Sequence, residues 1–287
     1  MATFSSLEPP EPSRFHHKRS LGQNFLNSPV IPGRMCDAAE LASGDTVLEI
    51  GPGTGALTAE LLARGARVVA VEADARTLTV LRERFADAIA SESLTLHHSD
   101  ARTLDPAALG LTEHAYAVVA NIPYYLTGFL LRTLLAGPVQ PHTLVFLVQK
   151  EVGERIARSE KASLLSLAVA AFGDARYVST VKRGHFTPAP AVDSAIIKVA
   201  DISRARLGTL DPDLFFQILH LAFGQKRKQV QRTLRHRYAT ESLIPALTQA
   251  GIAPTSRPEA VSLAQWITLT AALSPADRPF SPETSPA

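Results

Sequence analysis

From Asp45 onward, short apolar runs alternate with amphipathic stretches. "TVLEIG" (46–51), "ARVVAVEAD" (66–74), "LTLHHSD" (94–100), "YAVVANIP" (116–123) and "TLVFLVQK" (143–150) are compact runs rich in Val, Ile and Leu. Near-continuous apolar runs of this length are what strands buried on both faces require. Between them, "ALTAELLARG", "ARTLTVLRERFADAIA" and "TGFLLRTLLAG" place apolar residues near helical spacing, and Gly65 stands where the first of these helices should end. "EVGERIAR" and "SLLSLAVAAFG" also read as helices. "RYVSTVKRG" (176–184) and "SAIIKVA" (194–200) read as two further strands. The repeated strand–helix order predicts a seven-stranded, mostly parallel sheet with helices on both faces.

After about residue 205 the pattern becomes helical throughout. "DPDLFFQILHLAFG", "KRKQVQRTLRHRY", "ESLIPALTQAG" and "PEAVSLAQWITLTAAL" are punctuated by Pro, Gly and Asp at their ends. The expected organisation is a disordered leader over 1–20, an α/β domain over 21–204, a small all-helical domain over 205–274 and a disordered tail over 275–287. The leader is rich in Pro, Ser and Glu, ends on a basic "HHKR", and lacks the apolar core of a secretory signal.

Composition narrows the picture further. The 287 residues are 46% hydrophobic, as in a globular protein with a sizeable core. No stretch of about 18 or more uncharged apolar residues is present, so no membrane span is expected. The single Cys36 rules out an internal disulfide framework and a Cys-based zinc site, and no metal is expected. A cytoplasmic location fits these features. Net charge is only +2, but its distribution is uneven: Gly224 to Arg237 contains Lys226, Arg227, Lys228, Arg232, Arg235 and Arg237 and no acid. On one helix, such a block would follow a phosphate backbone; it would equally serve as a solvated face.

The first strand runs directly into "GPGTG", which places Gly51, Gly53 and Gly55 in a G-x-G-x-G turn. Glycines there let the backbone take positive φ and approach a ligand closely. Dinucleotide folds use G-x-G-x-x-G, but Ala56 stands where their third glycine would fall, so a dehydrogenase is disfavoured. An adenosyl or methionyl group suits this turn better than a pyrophosphate. Glu72 ends the second strand and Asp100 the third. Ligands of open α/β sheets bind beyond the carboxyl ends of the strands, where Glu72 can accept hydrogen bonds from ribose hydroxyls and Asp100 from an adenine amino group.

The fourth strand ends in "NIPYY", Asn121 to Tyr125. Methyl transfer to an exocyclic base amine would explain that ending. Such an amine is a poor nucleophile because its lone pair is delocalised into the ring. The Asn121 amide oxygen and the Ile122 carbonyl can accept its two hydrogens and draw the nitrogen towards a tetrahedral shape. Pro123 fixes φ and removes a competing donor, and Tyr124 offers a face on which an extruded base stacks. No strong general base is needed, because the methylated amine is acidic; catalysis is then largely positioning.

These stretches carry a resemblance. "LGQNFL" (21–26), "EIGPGTGALT" (49–58), "VEAD" (71–74), "SDA" (99–101), "NIPYY" (121–125), "VQKEVGERI" (148–156), "FTPAPAVDSAII" (186–197) and "AFGQKRKQV" (222–230) together resemble the ribosomal RNA adenine dimethyltransferase family, and within it the branch acting on small-subunit RNA. The resemblance implies a Rossmann-like class I methyltransferase with S-adenosylmethionine as methyl donor. It implies that Asn24 and Leu26 close over the donor, with Gly51 at its methionyl part, Glu72 at its ribose and Asp100 at its adenine, and with Gly53 also among the donor-binding residues. Asn121 would bind the target amine near the donor methyl, Tyr124 would stack on one face of the target adenine and Phe186 on the other. Lys226, Arg227, Lys228 and Arg232 would hold RNA backbone. The implied reaction is N6,N6-dimethylation of two adjacent adenosines in the 3′-terminal hairpin of 16S rRNA, within a pre-assembled small subunit, by a monomer.

Two positions depart from the family pattern. Tyr125 stands where relatives often carry Asn or His, and is expected to pack; Ala191 stands where Lys or Arg is common, which removes one phosphate contact. The alternatives are the sister group that methylates large-subunit rRNA and confers macrolide resistance, and a non-catalytic assembly factor. "FTPAPAVDSA" with Asp193, and "AFGQKRK", favour the small-subunit branch. The intact Gly51, Glu72, Asp100 and Asn121 set disfavours a non-catalytic role.

Overall fold

The computed structural model describes residues 24–225 and 227–273. The expected leader with its "HHKR", the tail from 275 and Lys226 lie outside the described residues. The chain divides into two compact units: one holds the described residues up to Arg158 together with Gly173–Ser203, and the other holds Ser159–Phe172 and the described residues from Arg204.

The first unit begins with β1 (Phe25–Leu26) and α1 (Val30–Ala39), followed by β2 (Thr46–Ile50), α2 (Ala56–Ala63) and β3 (Arg67–Glu72). Next come α3 (Ala75–Arg84), α4 (Ala86–Ala90), β4 (Leu94–His98), β5 (Tyr116–Asn121), α5 (Thr127–Ala136), β6 (Thr143–Gln149) and α6 (Lys150–Ala157). The chain contributes α7 (Leu164–Ala170) to the second unit, then returns for β7 (Asp174–Val181), β8 (Phe186–Thr187) and β9 (Ser194–Ala200).

Seven strands form one sheet in the order β4-β3-β2-β5-β6-β9-β7. The first five are mutually parallel, and β9 runs antiparallel to both its neighbours. This is the mixed, mostly parallel, Rossmann-like sheet expected from the sequence. β5, β6 and β9 are buried almost end to end, which explains their unbroken apolar runs, while the edge strand β7 alternates in exposure. Ile31, Met35 and Cys36 of α1, Leu57 and Leu61 of α2, and Leu78 and Leu81 of α3 share one core with Val47, Val68, Val119, Val145 and Ile196 of the sheet. From β2 the chain builds outward through β3 and β4, then crosses back to place β5 on the other side of β2. Strand order therefore reverses between β2 and β5, and a crevice opens there beyond the carboxyl ends.

The sequence predicts one helix over 75–90, but the structure breaks it at Phe85, whose φ of −115° and ψ of 31° leave the helical region. The Phe85 ring turns onto Gly55, where any Cβ would collide with it, and Arg84 lies over the same ring, 5.1 Å from its centroid. Covering the glycine turn wins over continuing the helix.

The second unit is helical: α7, α8 (Pro212–Phe223), α9 (Val230–Leu234), α10 (Thr240–Gln249) and α11 (Leu263–Ala272). Asp211 caps α8 with Pro212 in its first turn, and Ser262 with Gln265 forms a capping box on α11. Its core includes the stacked rings of Phe172 and Phe216, 5.9 Å apart, and the Phe223–Trp266 contact. Phe172 and α7 join this unit although they precede β7 in the chain, a segment that a division at 204/205 leaves with the sheet.

The predicted basic helix over 226–238 is not formed as one element. Arg227 has φ of +68°, Gln229 is extended, and only Val230–Leu234 is α-helical. The fully buried Val230, whose N–H donates to Ser256 O at 2.9 Å, pins the start of that short helix. The basic side chains therefore spread over a turn and a short helix instead of lining one stripe.

Candidate active site

A cleft of about 220 Å³ opens at the carboxyl ends of β2, β3, β4 and β5, within the first unit. Asn24, Leu26, Gly51, Gly53, Glu72, Asp100, Asn121 and Tyr124, all expected site residues, line it. Four strand ends and β1 thus bring together residues that are up to 100 positions apart.

The donor wall is built by the turn after β2. Gly51 takes φ of +70°, and a Cβ there would meet no described atom nearer than Asn121 O at 3.9 Å, so the space over it is left for a ligand. Gly53 is a glycine for another reason: a Cβ would lie 2.8 Å from the Phe25 ring. Glu72, at the end of β3, is buried and already bound by backbone: Oε1 accepts the Asp74 N–H at 2.8 Å and Oε2 the Gly53 N–H at 3.3 Å. Burial raises its pKa and these N–H groups oppose the rise. Asp100 is held by Arg102, which donates its backbone N–H to Oδ1 at 2.8 Å and its Nη2 to Oδ2 at 2.6 Å. That pairing lowers the Asp100 pKa, so the carboxylate stays ionised as an acceptor.

Glu49 is the acid that sequence reasoning passed over. It lies inside β2, fully buried, lines the floor of the cleft and accepts the Thr58 hydroxyl at 2.7 Å. Burial, with a smaller push from Glu72, raises its pKa to about 8. A glutamate in the otherwise apolar run Val47–Ile50 was the available signal.

The target wall begins at Asn121, the last residue of β5. Its Nδ2 donates to Asn24 O at 3.0 Å, which orients the amide and leaves Oδ1 without a donor among the described residues. Pro123 leads into a 3-10 turn, Tyr124–Leu126, that swings Tyr124 to the cleft. The Tyr124 hydroxyl sits 2.6 Å from Ser194 Oγ at the start of β9. Ser194 is a second residue missed from the sequence; its place in "AVDSAII" beside Asp193 was the only hint. Burial raises the Tyr124 pKa, so the phenol keeps its proton.

Two expectations on this wall are corrected. Phe186 does not line the cleft: it pairs with Leu26 across the small β1–β8 sheet and is 3% exposed, inside the hydrophobic core. The antiparallel pairing of two short strands, invisible to local pattern, turns it inward. Tyr125, expected to pack, is 60% exposed at the cleft mouth; the 3-10 turn directs only Leu126 of the pair inward.

Of the expected RNA contacts, Arg227 and Arg232 are exposed and Lys228 half-buried, on the second unit. None forms an ion pair among the described residues. Among the described residues no helix is long and apolar enough to cross a membrane.

Comparison with known proteins identifies the family. A family model for ribosomal RNA adenine dimethylase matches residues 14–274. The chain is 37% identical over 252 residues to "Ribosomal RNA small subunit methyltransferase A" of Dehalococcoides mccartyi, covering 87% of this chain and 86% of that protein. It is 36% identical over 274 residues to the protein of the same name from Geobacillus thermodenitrificans, covering 91% and 92%. Among solved structures, a 23S rRNA methyltransferase, ErmE, aligns with a TM-score of 0.63 at 28% identity, over 87% of this chain and 99% of that one. A dimethyladenosine transferase from Plasmodium falciparum aligns with a TM-score of 0.68 at 24% identity, over 85% and 95%, a likeness of fold.

Proposed function

Since the chain belongs to the ribosomal RNA adenine dimethylase family, we propose that it transfers methyl groups from S-adenosylmethionine to N6 of two adjacent adenosines in the 3′-terminal hairpin of small-subunit rRNA. The observation that carries this reading is the Asn121 amide, with Nδ2 tied to Asn24 and Oδ1 open in a cleft that also holds Tyr124, Glu72 and Asp100.

The residues present fit the donor. Its ribose and adenine present N–H and O–H groups, and the far wall offers two carboxylates as acceptors, with bare backbone at Gly51 for close approach. When bound, the donor supplies an electrophilic methyl group. Asn121 Oδ1 and the Ile122 carbonyl accept the two amine hydrogens of the target, which turns the nitrogen lone pair out of conjugation. The fixed Tyr124 ring carries one face of the base, and extruding the base into the cleft brings its N6 to Asn121. The protonated Tyr124 phenol is not a base; the methylated amine sheds its proton to solvent. Most of the rate advantage is positional.

The relatives named for the small subunit, at 36–37% identity, favour that substrate over the large-subunit rRNA named for ErmE at 28%. Arg227, Lys228 and Arg232 would hold RNA backbone, and the enzyme would work in the cytoplasm as a monomer. The test is to incubate the protein with labelled S-adenosylmethionine and small subunits lacking this modification, or the matching large subunits, and to map the label. Label on two neighbouring adenosines near the small-subunit rRNA 3′ end is expected; label on the large subunit alone would replace this reading with the sister activity.

A further inference from the structure

The loop Lys182–His185 is fastened to the cleft wall from both sides. Asn27, which follows Leu26, donates from Nδ2 to Thr187 Oγ1 at 3.0 Å and to Gly184 O at 3.4 Å, and its own N–H donates to His185 O at 3.0 Å. On the other side Asp193 accepts Lys182 Nζ at 3.0 Å and the Arg183 N–H at 3.1 Å, and its carbonyl accepts the Lys150 N–H at 2.9 Å. The next residue is Ser194, which holds the Tyr124 hydroxyl. The loop is therefore braced on the wall that presents Tyr124.

Its charges are unequal. Asp193 neutralises Lys182, and Lys150 shares its charge with Glu154 at 3.7 Å. Arg183 is exposed, and its guanidinium has no partner among the described residues. An exposed guanidinium without a counter-charge, carried on a loop whose backbone is fixed, is suited to hydrogen-bond a phosphate.

We propose that Arg183, braced by the Lys182–Asp193 pair, binds a backbone phosphate of RNA beside the nucleotide whose base enters the cleft. This deepens the reading given above and rests on it for the identity of the RNA. The contact orients the strand at the target wall, separately from the basic residues of the helical unit.

The full-length protein and its Arg183→Ala and Arg183→Lys variants are compared in three measurements. These are binding of a single-stranded RNA oligomer across a salt series, methylation of unmodified small subunits, and binding of S-adenosylmethionine. For Arg183→Ala the expected result is about tenfold weaker RNA binding and a salt slope smaller by about 0.7. KM for the subunit should rise by a similar factor, with kcat within about twofold and donor affinity unchanged. Arg183→Lys should recover most of the loss. An unaltered salt slope with wild-type methylation overturns the inference and leaves the function standing. A reduced slope in a protein that does not label small subunits leaves the phosphate contact standing and overturns the function. Equal losses in donor and RNA affinity also overturn the inference, since they report a disturbed wall and no phosphate contact.

Discussion

On the donor wall of the cleft, each acid is held by its own neighbourhood: Glu72 by the N–H groups of Gly53 and Asp74, Asp100 by Arg102 two residues on, Glu49 by Thr58 in the following helix. On the target wall, the Asn121 amide is held by Asn24, 97 positions away, and the Tyr124 hydroxyl by Ser194, 70 positions away. Three successive strand ends, β2, β3 and β4, supply the donor wall, and it follows from the repeated order of strand, turn and acid. The target wall exists only once β1, β5 and β9 have come together. Substitutions on the two walls should accordingly separate: those on the target wall should cost turnover with donor affinity kept, and those on the donor wall should alter acid chemistry and stability.

The sharpest separation is expected from Asn121→Ala. If Oδ1 is the group that rehybridises the amine, its removal should lower kcat on the order of a thousandfold, while the calorimetric affinity for S-adenosylmethionine stays within a few-fold. The half-buried side chain contributes one hydrogen bond to Asn24 O, so thermal unfolding should fall only slightly. Turnover near wild type in a folded Asn121→Ala protein would leave the target wall without its proposed chemistry.

Much of this arrangement was legible beforehand, and the omissions have a common cause. The seven strands, the glycine turn, Glu72, Asp100 and Asn121 all announce themselves through spacing along one chain segment. Phe186 facing the core, Tyr125 facing solvent and the role of Ser194 depend on pairings between remote segments, as in Leu26 with Phe186, which no local period records. The break at Phe85 and the short α9 show propensity overruled in the same way: Phe85 leaves its helix to cover Gly55, and Val230 is anchored to Ser256. Glu49 was missed for the opposite reason. It lies in a strand that is otherwise apolar, and an acid buried there is informative because burial is costly for its charge.

That acid gives a second, smaller separation, confined to the donor wall. In the unfolded chain Glu49 ionises at the usual carboxylate value of 4.5, and in the folded protein at about 8. Folding therefore favours the protonated form. The associated stability is full below the unfolded value and is lost as pH rises through about 8. Glu49→Gln keeps an acceptor for the Thr58 hydroxyl and cannot ionise. It should be more stable than wild type at pH 9 by several kcal/mol, near wild type at pH 4.5, and flatter in Tm between them. Burial shifts Glu72 in the same direction, so a residual slope should persist in the variant. A wild-type Tm that does not fall over this range would mean that Glu49 ionises normally and that water reaches the floor of the cleft.

The smallest expected effect tests how firmly the target wall is locked. Ser194 does not touch the base; it positions Tyr124, so its removal should act only through that ring. Ser194→Ala leaves the Tyr124 hydroxyl without its 2.6 Å partner, and the loss of one such bond should lower kcat/KM about tenfold with donor affinity unchanged. Tyr124→Phe keeps the stacking face, loses the same bond and should fall by a similar factor. The double variant should then be no worse than either single one, because both substitutions cut one connection. A merely structural serine would instead lower stability without this coupling, and multiplicative losses in the double variant would show that the hydroxyl pair does not hold the ring in place.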